Sequence, residues 1–223
     1  MADPIRVLFV AEHQMVQDSF KLLIGSSDDL VVVAMTSEDI GTAPYKFKSA
    51  PEVAVISLSK SGRAELITTL LKDFPDLRVV VVVKSEDLDL QAHALELGAV
   101  GIVHEDQNPA LLLEAIRQTH SGETWLNQVV LNKLLQRKKS DEPQNGPNAS
   151  KFDSSSGFES LTNRELEVLD LIGTGLKNKE IAEKLLISEP TVRCHLSSIY
   201  GKLGVKDRLN LVIKAYQIGL LEI

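Results

Sequence analysis

Apolar residues in the first 120 positions form five short runs that alternate with helical patterns. Val and Ile dominate the runs, which are Ile5–Val10, Val31–Met35, Val53–Leu58, Val79–Val83 and Gly101–His104. Helical spacing lies at about 14–24, 62–73, 88–97, 109–120 and 127–137, with a poor helix over 37–49 that Gly41 and Pro44 break. Apolar strands joined by helices are typical of a parallel sheet covered on both faces. The pattern therefore predicts an α/β, doubly wound (βα)5 domain.

Residues 161–220 show a different pattern, with apolar positions three and four apart. Capping residues and glycines mark the ends of four short helices, the second of which starts near Asn178. These signals are Thr162 with Glu165, Gly173 and Gly175, Ser188, Gly204 and Asp207. The fourth helix has Leu209, Val212 and Tyr216 on its inner face. The sequence thus predicts an all-α, four-helix second domain.

The third of these helices has two contrasting faces. Its predicted buried face carries Val192, Leu196, Ile199 and Leu203, and its outer face carries Arg193, Cys194, Ser197, Ser198 and Gly201. Small polar side chains and one cation permit a close approach to base edges and phosphates. Two helices, a short turn and such a face indicate a helix-turn-helix. The alternative from periodicity alone is an ordinary four-helix bundle with a solvated surface.

The two patterns are separated by a polar segment. Residues 140–157 are rich in Ser, Asn, Pro and Gly, which predicts a flexible linker. We therefore expect a first domain over 1–122, a connecting helix over 123–139, the linker over 140–157 and a DNA-binding domain over 158–223. The expected location is cytoplasmic, because we find neither a membrane-spanning run nor a signal-peptide pattern.

The charge distribution changes what the net charge of −7 implies. Residues 1–139 hold 14 basic and 19 acidic side chains, whereas residues 160–223 hold 9 basic and 8 acidic ones. Only the C-terminal part has no excess of acidic side chains. We therefore expect its affinity for DNA to be modest and salt-sensitive, so that useful binding requires a dimer. A single cysteine excludes a disulfide framework and a Cys-based zinc site. We predict no cofactor, no metal and no enzymatic activity.

Residues 161–220 closely resemble the DNA-binding domain of the LuxR/FixJ family of bacterial transcription regulators. The resemblance rests on Leu161-Thr162, Arg164-Glu165, Val168-Leu169, Gly175, Asn178-Lys179-Glu180-Ile181-Ala182, Ser188, Thr191-Val192, His195, Ile199-Tyr200 and Lys202-Leu203. It implies base contacts by Arg193, Cys194 and Ser197, although many relatives carry a second cation where Ser197 stands. It also implies phosphate-contacting or framework roles for a further set, for which helix capping or a solvated charge is the alternative. That set is Asn178, Lys179, Ser188, Thr191, His195 and Lys202.

The same resemblance implies that the protein binds double-stranded DNA as a homodimer on paired half-sites. Family members pair through the fourth helix, which would place Val212 and Ala215 at the interface.

Residues 4–122 resemble a response-regulator receiver domain. The resemblance lies in IRVLFV with His13, PEVAVISL, FPDLRVVVVV and ELGAVGIV. A working receiver holds Mg²⁺ with two acidic residues, accepts phosphate on an aspartate, and uses a Thr or Ser, a Lys and an aromatic residue nearby. The positions that correspond here are Ala11 and Glu12, Ser57, Val83, Glu105 and Ile102. One carboxylate is too few for Mg²⁺, and an unactivated serine is a poor nucleophile. We therefore expect that aspartyl phosphorylation is lost.

Several interpretations of the altered pocket remain open. An internal ion pair between Lys84 and Glu12 is the favoured one, and a transition-metal site of Glu12, His13, His104 and Glu105 is an alternative. A small ligand or a regulatory protein bound to this domain is a third. The sequence as a whole predicts an atypical response regulator that works without phosphorylation. The alternative is a protein-interaction or ligand-sensing module with weak or lost DNA binding.

Overall fold

The structure is a computed structural model, and it describes residues 3–36, 49–58, 63–84, 87–140 and 161–221. The chain divides into two compact units, Met1–Asp141 and Glu142–Ile223. Apart from residues 49 and 140, the poor helix expected over 37–49 and the linker expected over 140–157 lie outside the described residues. The two domains and their exact bounds stay predictions.

The first unit contains a five-stranded parallel sheet. Its strands are β1 (Ile5–Val10), β2 (Leu30–Thr36), β3 (Val53–Ser57), β4 (Arg78–Val83) and β5 (Gly101–His104), in the order β2-β1-β3-β4-β5. The helices are α1 (Gln14–Ile24), α2 (Glu65–Asp73), α3 (Leu88–Glu96), α4 (Pro109–His120) and α5 (Gln128–Ser140). The predicted α/β fold is confirmed, and the strand bounds differ from the expected ones by one residue at most.

The core of this unit follows from its apolar strands. Val53 to Ile56 of β3 are fully buried, as are Val7 and Leu8 of β1, because both faces of the sheet are covered. The strand order reverses between β1 and β3, and a crevice opens at such a reversal outside the carboxyl ends of parallel strands. The fold therefore brings the residues that follow β1, β3, β4 and β5 to one edge.

The second unit is helical, with α6 (Asn163–Gly173), α7 (Asn178–Leu185), α8 (Glu189–Leu203) and α9 (Arg208–Gln217). The predicted caps are present: Thr162 and Glu165 form a reciprocal capping box, and Ser188 and Asp207 cap α8 and α9. Gly204 ends α8 with a φ of 66°, a conformation that glycine adopts without strain. In the described ranges, no helix combines the length and the apolarity needed to cross a membrane.

Candidate functional site

The outer face of α8 is available to solvent, as the helix-turn-helix pattern predicts. Arg193, Cys194 and Ser197 are exposed, whereas Val192, Leu196 and Ile199 on the opposite face are buried. Ser188 fixes the start of the helix by accepting a hydrogen bond from the Thr191 backbone N–H at 3.2 Å. The apolar stripe thus anchors α8 in its unit and leaves the small polar side chains pointing outward.

Arg193 already has an acidic partner on this face. Its Nη2 donates to Glu189 Oε1, four residues earlier, and about half of the Arg193 side chain stays exposed. An exposed pair at this spacing is worth only about 0.3–0.5 kcal/mol, so a guanine or a phosphate can displace Glu189 at little cost. Glu189 was not among the residues expected from the sequence, although its i, i+4 spacing from Arg193 is visible there.

Lys202 and Ser198 are exposed residues that both contact a buried carboxylate. Lys202 Nζ lies 2.6 Å from Glu165 Oε2, and Ser198 Oγ donates to Glu165 Oε1 at 2.6 Å. Burial alone would raise the pKa of Glu165, but hydrogen bonds from Lys202, Ser198 and Thr162 lower it to about 2. Both residues remain exposed, as predicted for Ser198, but their polar ends are engaged by Glu165. Their predicted DNA contacts stay predictions. Both side chains hold α8 against α6.

Asn178 belongs to the framework as well. Its side chain is only 1% exposed, and its Oδ1 accepts a hydrogen bond from Arg208 Nη1 at 3.1 Å. Arg208 also donates to the backbone oxygen of Leu176, so it links α9 to the turn before α7. A buried amide cannot reach a phosphate, which decides between the two roles that the resemblance left open for Asn178. Nothing in the sequence pattern singled out Arg208.

The other predicted contact residues differ in accessibility. Lys179 at the start of α7 and Ser188 are exposed, whereas Thr191 and His195 on α8 are half-buried. The Ser188 and Thr191 hydroxyls lie 2.7 Å apart and form a hydrogen bond. Lys179 is thus exposed and accessible for the predicted phosphate contact.

The expected pairing surface on α9 is not where the sequence analysis placed it. Ala215 is fully buried and Val212 is 7% exposed, so neither side chain is free to meet a second copy. The exposed positions of this helix are Asn210, Lys214 and Gln217. The apolar spacing of α9 therefore marks a core face, and the prediction of Val212 and Ala215 as an interface is wrong.

In the first unit, the carboxyl ends of the strands border a crevice of about 790 Å³, which we call the sheet-edge crevice. Ala11, Glu12, Ser57 and Glu105 line it together, as expected from residues at the carboxyl ends of parallel strands. Val83 does not line it: this residue is fully buried, and the next residue, Lys84, borders the crevice instead. The assignment of Val83 to the pocket surface is therefore corrected.

Glu12 is paired, but not with the residue that the sequence suggested. Arg63 Nε lies 2.9 Å from Glu12 Oε1, whereas no ion pair joins Lys84 to any carboxylate in the described parts of the chain. Arg63 stands just before α2, far from Glu12 in sequence, so no local pattern pointed to it. Glu12 thus forms an ion pair, as predicted, but its partner is Arg63 and the predicted partner Lys84 is wrong.

The alternative of a transition-metal site is not supported by the geometry. Among the residues that the structure describes, no three His, Cys, Asp or Glu side chains converge closely enough to hold a metal ion. The His104 imidazole instead lies 3.4 Å from the Gln91 side-chain oxygen. Glu12, His13, His104 and Glu105 border one crevice without forming a ligand set.

Comparisons with known proteins identify relatives of the second unit and of the chain as a whole. Residues 159–215 match the LuxR family of bacterial regulatory proteins. The oxygen regulatory protein NreC of Staphylococcus aureus is 31% identical over 221 residues, which cover 98% of this chain and 100% of that protein. NreC of Staphylococcus epidermidis is 30% identical over 225 residues, with coverage of 98% and 100%.

Two solved structures are also similar. The response regulator ChrA of a heme-sensing two-component system is 29% identical, with 99% of this chain and 100% of that chain covered and a TM-score of 0.48. The response regulator RcsB, solved as two dimers bound to two parallel DNAs, is 23% identical, with coverage of 96% and 98% and a TM-score of 0.50. The RcsB likeness supports the fold.

A relative that is 31% identical over its full length establishes the family, and the match over 159–215 identifies the second unit. The chain belongs to the NarL-type response regulators with a LuxR-type helix-turn-helix, and it is a DNA-binding transcription regulator rather than an enzyme.

Proposed function

We propose that this regulator acts without aspartyl phosphorylation and reads DNA mainly through Arg193 of α8. In this proposal residues 1–122 form a receiver-like domain without phosphotransfer chemistry, and residues 123–139 and 140–157 connect it to a DNA-binding domain over 158–223. The protein binds paired half-sites as a homodimer.

The observation that carries the first part is the chemistry of the sheet-edge crevice. Ser57 occupies the position of the phosphate-accepting aspartate, and Ala11 removes one of two expected Mg²⁺ ligands. The remaining carboxylate, Glu12, lies 2.9 Å from Arg63 Nε, so its charge is already compensated. Mg²⁺ prefers several oxygen ligands and gives up its water reluctantly, and a lone paired carboxylate offers it little. Glu105 adds a negative charge where a lysine should neutralise the phosphoryl group.

The side chains proposed to contact DNA are chosen because they are accessible on α7 and α8 and are not bonded to the domain core. Arg193 can bind guanine N7 and O6, while Cys194 and Ser197 are short enough only for close contacts to base edges. Lys179 is exposed and suited to a phosphate, and Ser188, Thr191 and His195 lie at the start and side of the same helix. Ser198 and Lys202, although exposed, are bonded to Glu165, and Asn178 is buried against Arg208. Because α8 offers one cation for base contacts, a single domain would discriminate weakly between DNA sequences. The proposal therefore includes a dimer.

Acetyl phosphate with Mg²⁺ tests the proposal on the full chain. Intact mass spectrometry should show no phosphoryl adduct, and the mass in solution and the DNA affinity should not change. Ser57→Asp alone should still give no adduct because the metal site is missing, whereas Ala11→Asp, Ser57→Asp and Glu105→Lys together should restore one. A stable adduct on the unmodified chain, with altered assembly, would overturn the proposal.

A further inference from the structure

We infer that the sheet-edge crevice is a binding site for a small molecule with an apolar body and one carboxylate group. This inference rests on the proposed function, because it requires that the same edge no longer serves Mg²⁺ and phosphate. It gives the crevice a ligand class that the family resemblance does not supply.

The size and position of the crevice favour a small-molecule ligand. Its volume of about 790 Å³ lies within the range of roughly 300–1,000 Å³ that is usual for ligand pockets. It lies at the carboxyl ends of the strands, with Ala11 after β1 and Ser57 at the end of β3 in its lining, and the strand order reverses there. Open α/β sheets bind their ligands at this reversal.

The walls of the crevice are mainly apolar, which sets the body of the ligand. The apolar lining comes from β1, β4, β5, α1 and the start of α4. It includes Phe9, Val16, Phe20, Val82, Val103 and Leu112. Phe9 and Phe20 stack with ring centroids 3.8 Å apart and form a rigid part of this wall. A hydrocarbon or aromatic body buried here gains roughly 25 cal/mol for each Å² removed from water.

The charged groups at the edge favour an anionic head group. Lys84 lines the crevice, and within the described ranges its ammonium has no carboxylate within ion-pair distance. Glu12 does not oppose an anion strongly, because Arg63 compensates its charge. The start of α4, at Asn108 and Pro109, also borders the crevice, and its first turn has no acidic residue. A helix N-terminus favours a negative group.

Glu105 limits how much negative charge the ligand can carry. It lines the crevice, and in the described ranges it belongs to no ion pair. A dianion such as a phosphate monoester would meet this carboxylate as well as Lys84, whereas a single carboxylate can lie near Lys84 alone. The charges therefore select a monocarboxylic acid over a phosphorylated compound.

Displacement of the fluorescent probe 1-anilinonaphthalene-8-sulfonate from the full chain by dodecanoate tests the inference. Dodecanoate, kept below its micelle concentration, should displace the probe at least about tenfold more effectively than the uncharged 1-dodecanol. Lys84→Gln should weaken dodecanoate about tenfold and leave 1-dodecanol unchanged. Lys21→Gln, the same change at an exposed position of α1 outside the crevice, should have no effect.

A second pair of variants tests the apolar walls. Val16→Trp and Ser19→Trp replace lining residues that are exposed at the mouth, so either should fill the crevice without disturbing the core. Each should abolish displacement by both compounds. The inference is overturned if dodecanoate does not displace the probe, if Lys84→Gln acts no more strongly than Lys21→Gln, or if neither Trp variant changes binding.

The failure of this inference can be distinguished from that of the proposed function. A phosphoryl adduct after acetyl phosphate treatment defeats the proposed function, whatever dodecanoate does. No adduct together with no displacement leaves the proposed function standing and defeats the ligand site alone.

Discussion

The two units of this protein differ in how their fold relates to their chemistry. In the first unit, the parallel sheet has the expected α/β fold, whereas the loss of phosphotransfer chemistry at its carboxyl edge, where Ala11, Ser57 and Glu105 lie, is our proposal. In the second unit, caps, core and the exposed face of α8 all agree with a helix-turn-helix. The difference arises because the sheet depends mainly on its apolar strands, so side chains at the strand ends can change at little cost to folding. In α8, by contrast, one short helix carries both the core and the contact surface.

Glu165→Gln has the largest expected effect and tests how much this carboxylate contributes to the stability of the second unit. The change removes the charge that pairs with Lys202, leaving a partly buried ammonium without its anion. We expect a loss of about 2–3 kcal/mol in the free energy of unfolding of this unit. The NMR signals of residues 161–221 during urea unfolding of the full chain measure it. Glu167→Gln, at an exposed pair with Arg164, should cost under about 0.5 kcal/mol; equal losses would contradict the role of Glu165.

The same carboxylate predicts a pH dependence that is specific to the second unit. The folded pKa of Glu165, about 2, is below its ordinary value of 4.5, so its contribution is complete above pH 4.5 and is lost as the pH falls toward 2. Stability should decrease over this window by an amount on the order of 2 kcal/mol. Urea titrations between pH 5 and pH 2 measure it. Glu165→Gln should flatten this part of the profile, and an unchanged profile would count against the assignment.

Arg193→Ala tests the exposed face of α8. Removing the cation proposed to read bases should weaken binding to a duplex selected from genomic fragments by about 5–150-fold, since a bidentate contact to guanine contributes about 1–3 kcal/mol. Fluorescence anisotropy at a fixed salt concentration measures the loss. Lys72→Ala removes one positive charge from an exposed position of α2 and should change affinity less than about twofold. Similar losses for both variants would mean that charge, rather than base reading, determines binding.

The smallest expected effect concerns the ion pair at the edge of the sheet. Glu12→Ala and Arg63→Ala should each lower the stability of the first unit slightly, because the pair is only partly buried, with 33% and 20% of the two side chains exposed. A double-mutant cycle should give a coupling energy of about 0.5–1 kcal/mol for Glu12 with Arg63. The cycle with Lys84→Ala should give none. Coupling to Lys84 instead would restore the pairing that the sequence suggested. DNA affinity should not change in any of these variants.

Most of the fold was predictable because it depends on local signals. The Val-rich runs predict β3 and β4, the apolar spacing predicts α8, and Thr162 with Glu165 predicts the start of α6. The site was predictable in part: exposed Arg193 and the grouping of Ala11 with Ser57 follow from periodicity and from strand ends. The partners of these residues were not predictable from local pattern.

The sequence by itself determined two kinds of periodicity, and with them a parallel sheet followed by a capped helical unit with one cation on an exposed helix face. Only the tertiary structure decided which charged groups meet: Arg63 rather than Lys84 at Glu12, Lys202 and Ser198 at Glu165, and Arg208 at Asn178. It also decided that Val212 and Ala215 belong to a core. The physical reason is that apolar burial repeats along an element and can be seen locally, whereas ion pairs and hydrogen bonds join residues that are distant in the chain.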